Sequence, residues 1–195
     1  MESINNIMQR VEAAKSFGLL LKEYRKSVTV HLENLVGGAL SLYSAALARR
    51  AGGVHIFVAE DRDAAAYMLN DFYALLDEDC VHFFPTSYKR SIVYGREDAQ
   101  GVVQRTNTLN ALRHHSKGYL VICTYPEALA ERVVEERTLS ERSIRLKVGE
   151  SISIVKLEEQ LIERGFQQVD FVYEPGQYSL RGGIVDVFSY SESRP

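Results

Sequence analysis

The feature that most restricts the fold is an alternation of short apolar runs with longer amphipathic stretches. Val54–Ala59, Val81–Phe84 and Tyr119–Cys123 are too short for buried helices and carry the β-branched and aromatic residues that suit strands. Between them the apolar residues recur at spacings of three and four. Ala39–Arg50 places Leu40, Tyr43 and Leu47 on one side of a helix. The stretch after Asp61 aligns Ala65, Leu69, Phe72 and Leu76, and Asp61 can cap it. A helix from Glu97 to about His114 presents Val102, Thr106, Leu109 and Leu112. Pro126 opens a further short helix at its first position, where a missing N–H leaves no bond unmade. Strands separated by helices need right-handed crossovers, so the pattern predicts an α/β fold, a parallel sheet with helices on both faces.

Two segments precede this core. Glu2–Arg25 reads as one amphipathic helix through Ile7, Val11, Ala14, Phe17 and Leu21. Ser27–Leu35 reads as a strand, because Val28, Val30 and Leu32 alternate with Thr29 and His31. Past Thr138–Arg142 the order changes. A strand at Ser143–Val148 is followed by a helix at Ile154–Arg164 with Leu157 and Leu161 inward. Strand-like runs at Phe166–Tyr173 and Gly183–Phe188 are then joined through the turn signal Pro175-Gly176. One helix on a small antiparallel sheet is a different architecture, so two domains are expected, residues 1–139 and 140–195.

Composition narrows the function. The chain has 195 residues, a formal charge of −3, 46% apolar and 25% charged residues, a globular balance. The uncharged stretch Leu35–Ala48 is broken by Gly37, Gly38, Ser41 and Ser44, so no membrane span is expected and a cytoplasmic protein is. Two cysteines, Cys80 and Cys123, cannot build a disulfide framework or a multi-cysteine zinc site. The mild acidity argues against a domain made to grip nucleic-acid phosphates.

A strand, glycines, then a helix is the layout of a phosphate-binding loop. Here it reads Leu35-Val36-Gly37-Gly38-Ala39-Leu40-Ser41. A working loop needs a lysine for the β and γ phosphates and a hydroxyl for magnesium. Ser41 could offer the hydroxyl, but no lysine occurs between Lys26 and Lys89. The glycines therefore read first as a tight turn, and hydrolysis of ATP here is not expected. His114-His115 at a helix end complement its dipole and do not share one face for a metal. His55, His82 and Cys123 read as packed strand residues, and Asp77-Glu78-Asp79 as a solvated face. Tyr88-Lys89-Arg90…Tyr94-Gly95-Arg96 interleaves aromatics and cations as a base-stacking surface does, yet a surface loop is the plainer account. No catalytic constellation and no metal site emerges.

Three blocks nevertheless carry a pattern. They are His31–Leu47; Phe83-Phe84-Pro85 followed by Arg105…Leu109…Leu112; and Gly165-Phe166…Val169-Asp170…Gly176-Gln177-Tyr178-Ser179-Leu180-Arg181-Gly182-Gly183-Ile184-Val185-Asp186-Val187-Phe188. Over about residues 20–190 the chain resembles the N-terminal region of bacterial transcription-repair coupling factors, the module homologous to the excision-repair subunit UvrB. It departs from that pattern after Pro85, where a tryptophan and an L-P-Y-D-like segment are replaced by Thr86-Ser87-Tyr88 and Ile92-Val93-Tyr94-Gly95. The resemblance implies a RecA-like sheet with a degenerate phosphate loop at Gly37, Gly38 and Ser41, plus a small α+β domain. It implies a non-catalytic module that recruits the damage-recognition ATPase UvrA. The contact would centre on Arg181, supported by Tyr178, Ser179 and Gly182; Ser179 stands where UvrB has a further arginine. ATP and magnesium would belong only to the motor domains of a longer protein, through which RNA polymerase and DNA are reached. From the residues alone, Arg181 reads as a surface ion pair. The alternatives are a nucleotide-binding or nucleotide-hydrolysing α/β domain, and DNA binding through Tyr88–Arg96.

Overall fold

A computed structural model describes residues 4–27, 29–88, 99–133, 144 and 146–190. By its contacts the chain divides into two compact units, 1–85 with 108–130 and 86–107 with 131–195.

The first unit opens with α1 (Ile4–Ala13) and α2 (Lys15–Tyr24), followed by α3 (Ala39–Ala51), β1 (Gly53–Val58) and α4 (Arg62–Leu75). A 3-10 turn at Glu78–Cys80 leads into β2 (Val81–Phe83). The second half of α5 (Ala99–His114), then β3 (Tyr119–Thr124) and α6 (Pro126–Ala130), complete it. The sheet is parallel with order β1-β3-β2; Val54 lies opposite Leu120, Ile56 opposite Ile122 and Val81 opposite Val121. This bears out the α/β reading, and with it the cap: Asp61 accepts a hydrogen bond from the Ala64 N–H at 2.9 Å, which occupies an orphan donor of α4.

The core lies where α3 and α4 cover the sheet. Ala45, Ala46 and Ala48 are small enough to bring α3 close, and Phe72 meets Phe57 with ring centroids 4.8 Å apart. Pro85 stops β2, leaving carbonyls in the core. The Thr108 hydroxyl donates to the Phe83 carbonyl at 2.9 Å and the Thr124 hydroxyl to that of Phe84 at 2.8 Å, so neither is left unsatisfied. At Gly52 (φ 69°) a Cβ would lie 3.2 Å from the Gly118 carbonyl oxygen, which is why glycine links α3 to β1.

Two expectations are corrected in this unit. The first helix is two, because Ala14 takes an extended conformation (φ −68°, ψ 138°) and starts α2 afresh. The buried residues are accordingly Met8, Phe17 and Leu20, with Val11, Ala14 and Leu21 only partly covered. The strand expected at Ser27–Leu35 is not formed by its described residues, and Val28 lies outside them. Leu32 is exposed alongside His31, so the alternation never sorts into a buried and a wet face, and no ladder partner fixes it. In α5, the buried positions are Gly101, Arg105 and Thr108, while Leu112, expected inward, is exposed.

In the second unit, α7 (Ile154–Glu163) packs on a sheet of order β4-β5-β6, formed by Gln167–Gln168, Gln177–Arg181 and Ile184–Phe188. Leu157, Leu161 and Tyr178 form the core, joined by Phe166, Leu180, Val185 and Val187. Burying each such leucine contributes about 1.5–3 kcal/mol. The sheet is mixed, not antiparallel throughout: β4 runs parallel to β5 and only the β5–β6 hairpin is antiparallel. The turn at Pro175-Gly176 leads into β5, a strand between the two expected runs. Of Phe166–Tyr173 only Gln167–Gln168 joins the ladder. The strand expected at Ser143–Val148 is absent from its described residues, and Ser143 and Arg145 lie outside them. Elsewhere in this unit Glu131 accepts from the Ser87 N–H (2.9 Å) and hydroxyl (2.5 Å) and faces the Arg105 guanidinium at 3.5 Å.

Candidate functional site

Two places were expected to carry function. The first is the turn into α3. Gly37 has φ 58° and Gly38 is the helix N-cap, with no side chain capping it. Ser41 is buried and its hydroxyl donates to the Asp71 carboxylate on α4 at 2.5 Å. The three expected residues are thus close in sequence and in space, but the hydroxyl that magnesium would require is held by a carboxylate. The segment ahead of the glycines is irregular, so the strand that aims a phosphate loop at its ligand is lacking among the described residues. Among the described residues no group of three or more His, Cys, Asp or Glu could hold a metal ion. His55 is buried, its Nε2 2.9 Å from the Gly52 carbonyl and its ring 6.1 Å from Tyr24; burial lowers its pKa, as it does that of His82. Burial raises the Cys123 thiol to about 12, so it is an inert packed side chain. Of the mixed aromatic and basic stretch, Lys89–Arg96 lies outside the described residues.

The second place is the face of the small sheet turned away from α7. Side chains alternate along β5. Tyr178 and Leu180 point to the helix, and burial beside the Glu158 carboxylate pushes the Tyr178 hydroxyl above its usual range. Ser179 and Arg181 point the other way, with Asp186 and Ile184 of β6 as their cross-strand neighbours. Ser179 is buried because the chain after β4 passes over it; its hydroxyl donates to the Asp170 carbonyl at 3.0 Å. The Gln177 side-chain carbonyl holds the following loop by accepting from the Tyr173 and Glu174 N–H groups, both at 2.9 Å.

What results is an open groove of about 480 Å³ lined by residues 168–171 and 179–181. Arg181 sits at its mouth, 55% exposed, ion-paired with Asp186 and 5.7 Å from the centre of the Phe171 ring. Phe171 and Ile184 are 60% and 62% exposed, and Tyr173 77%. A charged fork amid uncovered apolar side chains is the composition of a protein-binding patch. Of the four residues expected here, Arg181 and Gly182 reach the surface, whereas Tyr178 and Ser179 act from within by fixing the strand. Phe171, Ile184 and Asp186 belong to the same surface and were not anticipated. The alternation Ile184-Val185-Asp186-Val187 was the available signal, since it sends Ile184 and Asp186 to one face.

Residues 144–195 match the family described as the UvrB interaction domain. Across 98% of its length the chain is 24% identical to a transcription-repair-coupling factor of Bacillus subtilis, of which it spans 16%. It is 26% identical over 60% of its length to that of Staphylococcus haemolyticus and 25% over the same share to that of Staphylococcus aureus, spanning 10% of each. No helix of the described residues is long and apolar enough to cross a membrane. Over nearly its whole length the chain is similar to transcription-repair-coupling factors, and its residues 144–195 match the UvrB interaction domain.

Proposed function

We propose that this chain is a docking module that recruits the repair ATPase UvrA to stalled RNA polymerase, and that Arg181 is the centre of the contact. The observation that carries the proposal is the exposed guanidinium on the open face of a sheet within the UvrB interaction domain match. An arginine fork suits a bidentate bond to a partner carboxylate. To make it, Arg181 must leave Asp186. That costs little, because an exposed ion pair is worth about 0–1 kcal/mol. Phe171 and Ile184 supply apolar area around the bond, and Gly182, at φ 62°, makes the tight hairpin that holds it out. Tyr178 and Ser179 support the strand.

In this reading residues 1–139 are a degenerate RecA-like domain and 140–195 the UvrA-binding domain. The chain itself performs no catalysis. The Ser41–Asp71 bond supports this, since it engages the hydroxyl that nucleotide chemistry would need. ATP-driven translocation, and contact with polymerase and DNA, belong to other parts of a longer cytoplasmic protein. Titration calorimetry of the chain with UvrA tests the assignment. Arg181→Glu, confirmed folded by circular dichroism, is expected to weaken binding by about 2–5 kcal/mol, roughly 30-fold or more. Unchanged affinity would remove Arg181 from the interface.

A further inference from the structure

Three successive outward side chains of β5 hold one segment of chain. Along the strand Gln177, Ser179 and Arg181 share the face opposite Tyr178 and Leu180. The Gln177 amide oxygen accepts from the Tyr173 and Glu174 N–H groups, both at 2.9 Å. The Ser179 hydroxyl donates to the Asp170 carbonyl at 3.0 Å, and the Arg181 guanidinium lies 5.7 Å from the centre of the Phe171 ring. Residues 170–174 join no strand ladder, so these side chains take the place of one. Outward from the segment stand Phe171 and Tyr173, 60% and 77% exposed, with rings 6.5 Å apart and inclined at 43°. Aromatic side chains on a backbone held at three points offer a large apolar area that needs little further ordering on binding.

We propose that Phe171 and Tyr173 are the apolar anchors of the UvrA contact and that Gln177 is the residue that positions them. This rests on the assignment of UvrA to the open face of the sheet, and it specifies what the partner surface presents: a carboxylate for Arg181 bordered by an apolar pocket for two rings. The two halves go together, because a group bonded to Arg181 comes within reach of the Phe171 ring beside it. Aromatic anchors next to an arginine are the side chains that dominate interface energies. Gln177 acts through the backbone. Without its amide oxygen, two N–H groups lose their acceptor and turn to water, and the segment that carries both rings is released from β5. Binding must then order it again, at a cost in affinity. Glutamate keeps an acceptor oxygen at the same reach, whereas leucine, of similar size, has none.

Titration calorimetry of the intact chain with UvrA is the test, each variant being confirmed folded by circular dichroism. Phe171→Ala and Tyr173→Ala should each weaken binding about tenfold. Gln177→Leu should weaken it about fivefold, and Gln177→Glu should keep it within about twofold of the parent. In a chain already carrying Phe171→Ala and Tyr173→Ala, Gln177→Leu should have no further effect, since what it positions is gone; a general loss of structure would persist there. Val155→Lys, on the exposed side of α7, should leave binding unchanged. If Arg181→Glu alters nothing, the assignment of UvrA to this face is what fails. If Arg181→Glu weakens binding while an alanine variant binds like the parent, that ring is no anchor and the proposal is overturned with the arginine left standing. A Gln177→Leu penalty that persists without the two rings, or that Gln177→Glu shares, overturns the positioning role.

Discussion

The site depends on a glycine that touches no partner. Gly176 has φ 86°, its N–H donates to the Phe188 carbonyl at 2.8 Å and its own carbonyl accepts from Gln167 at 2.8 Å, so it ties β4 to β6 just before β5 begins. A Cβ there would run into the Tyr190 hydroxyl. Gly176→Ala therefore has two costs. The left-handed backbone costs about 1–2 kcal/mol for a residue with a Cβ. Tyr190 must also swing aside and give up its contact with Phe166, whose ring lies 5.6 Å away; that is about 0.5–1.5 kcal/mol. The sum is about 1.5–3.5 kcal/mol, centred near 2.5. In a unit of this size it is a drop of roughly 10–20 °C in its transition, read by differential scanning calorimetry. The two costs separate in a double-mutant cycle: in a Tyr190→Ala background only the backbone cost, about 1–2 kcal/mol, should remain. A Gly176→Ala protein within about 0.5 kcal/mol of the parent would refute the reasoning. So would a penalty unchanged by removal of Tyr190, since steric contact would then contribute nothing.

Two further outcomes follow from buried groups in the first unit. His55 and His82 have folded pKa values below their ordinary 6.5, because burial disfavours the imidazolium. The unfolded chain then binds more protons below that value, so stability is full above pH 6.5 and falls as the pH drops through it. Replacing both by glutamine should flatten urea-denaturation stability between pH 7 and 5; an unchanged slope would contradict the assignment. Cys123, its thiol raised to about 12 and its side chain buried, should resist iodoacetamide at pH 8 in the native protein and react on unfolding; fast native labelling at this position would contradict its burial.

How far the sequence could be read depended on whether a residue's neighbours were local. Asp61, Pro126, Leu157 and Leu161 act within one helix or one turn, and each stands where spacing and capping place it. The apolar runs of β1, β2 and β3 are equally legible, because a short run of β-branched and aromatic residues carries its strand signal along its own length. The segment Ser27–Leu35 has the right alternation and still forms no strand, since a strand exists only through a ladder partner that its own residues do not encode. Ala14 shows the converse, a good helix former that leaves the helix between the buried residues Met8 and Phe17. In the second unit the motif that carries the resemblance runs through β5 and singles out Arg181. It could not reveal that Tyr178 faces α7 or that Ser179 is roofed by Asp170, because facing is settled by register with β4 and β6. Phe171 was invisible for the same reason, whereas the alternation through Ile184 and Asp186 did carry a signal.

The most direct measurement of the central claim is a hydrogen-exchange footprint of the intact chain with and without UvrA. Binding through the open sheet face predicts slowed exchange at residues 168–171 and 177–186, with residues 37–41 unchanged. Complex formation that leaves 168–186 unprotected, or that protects the turn into α3 instead, would contradict it.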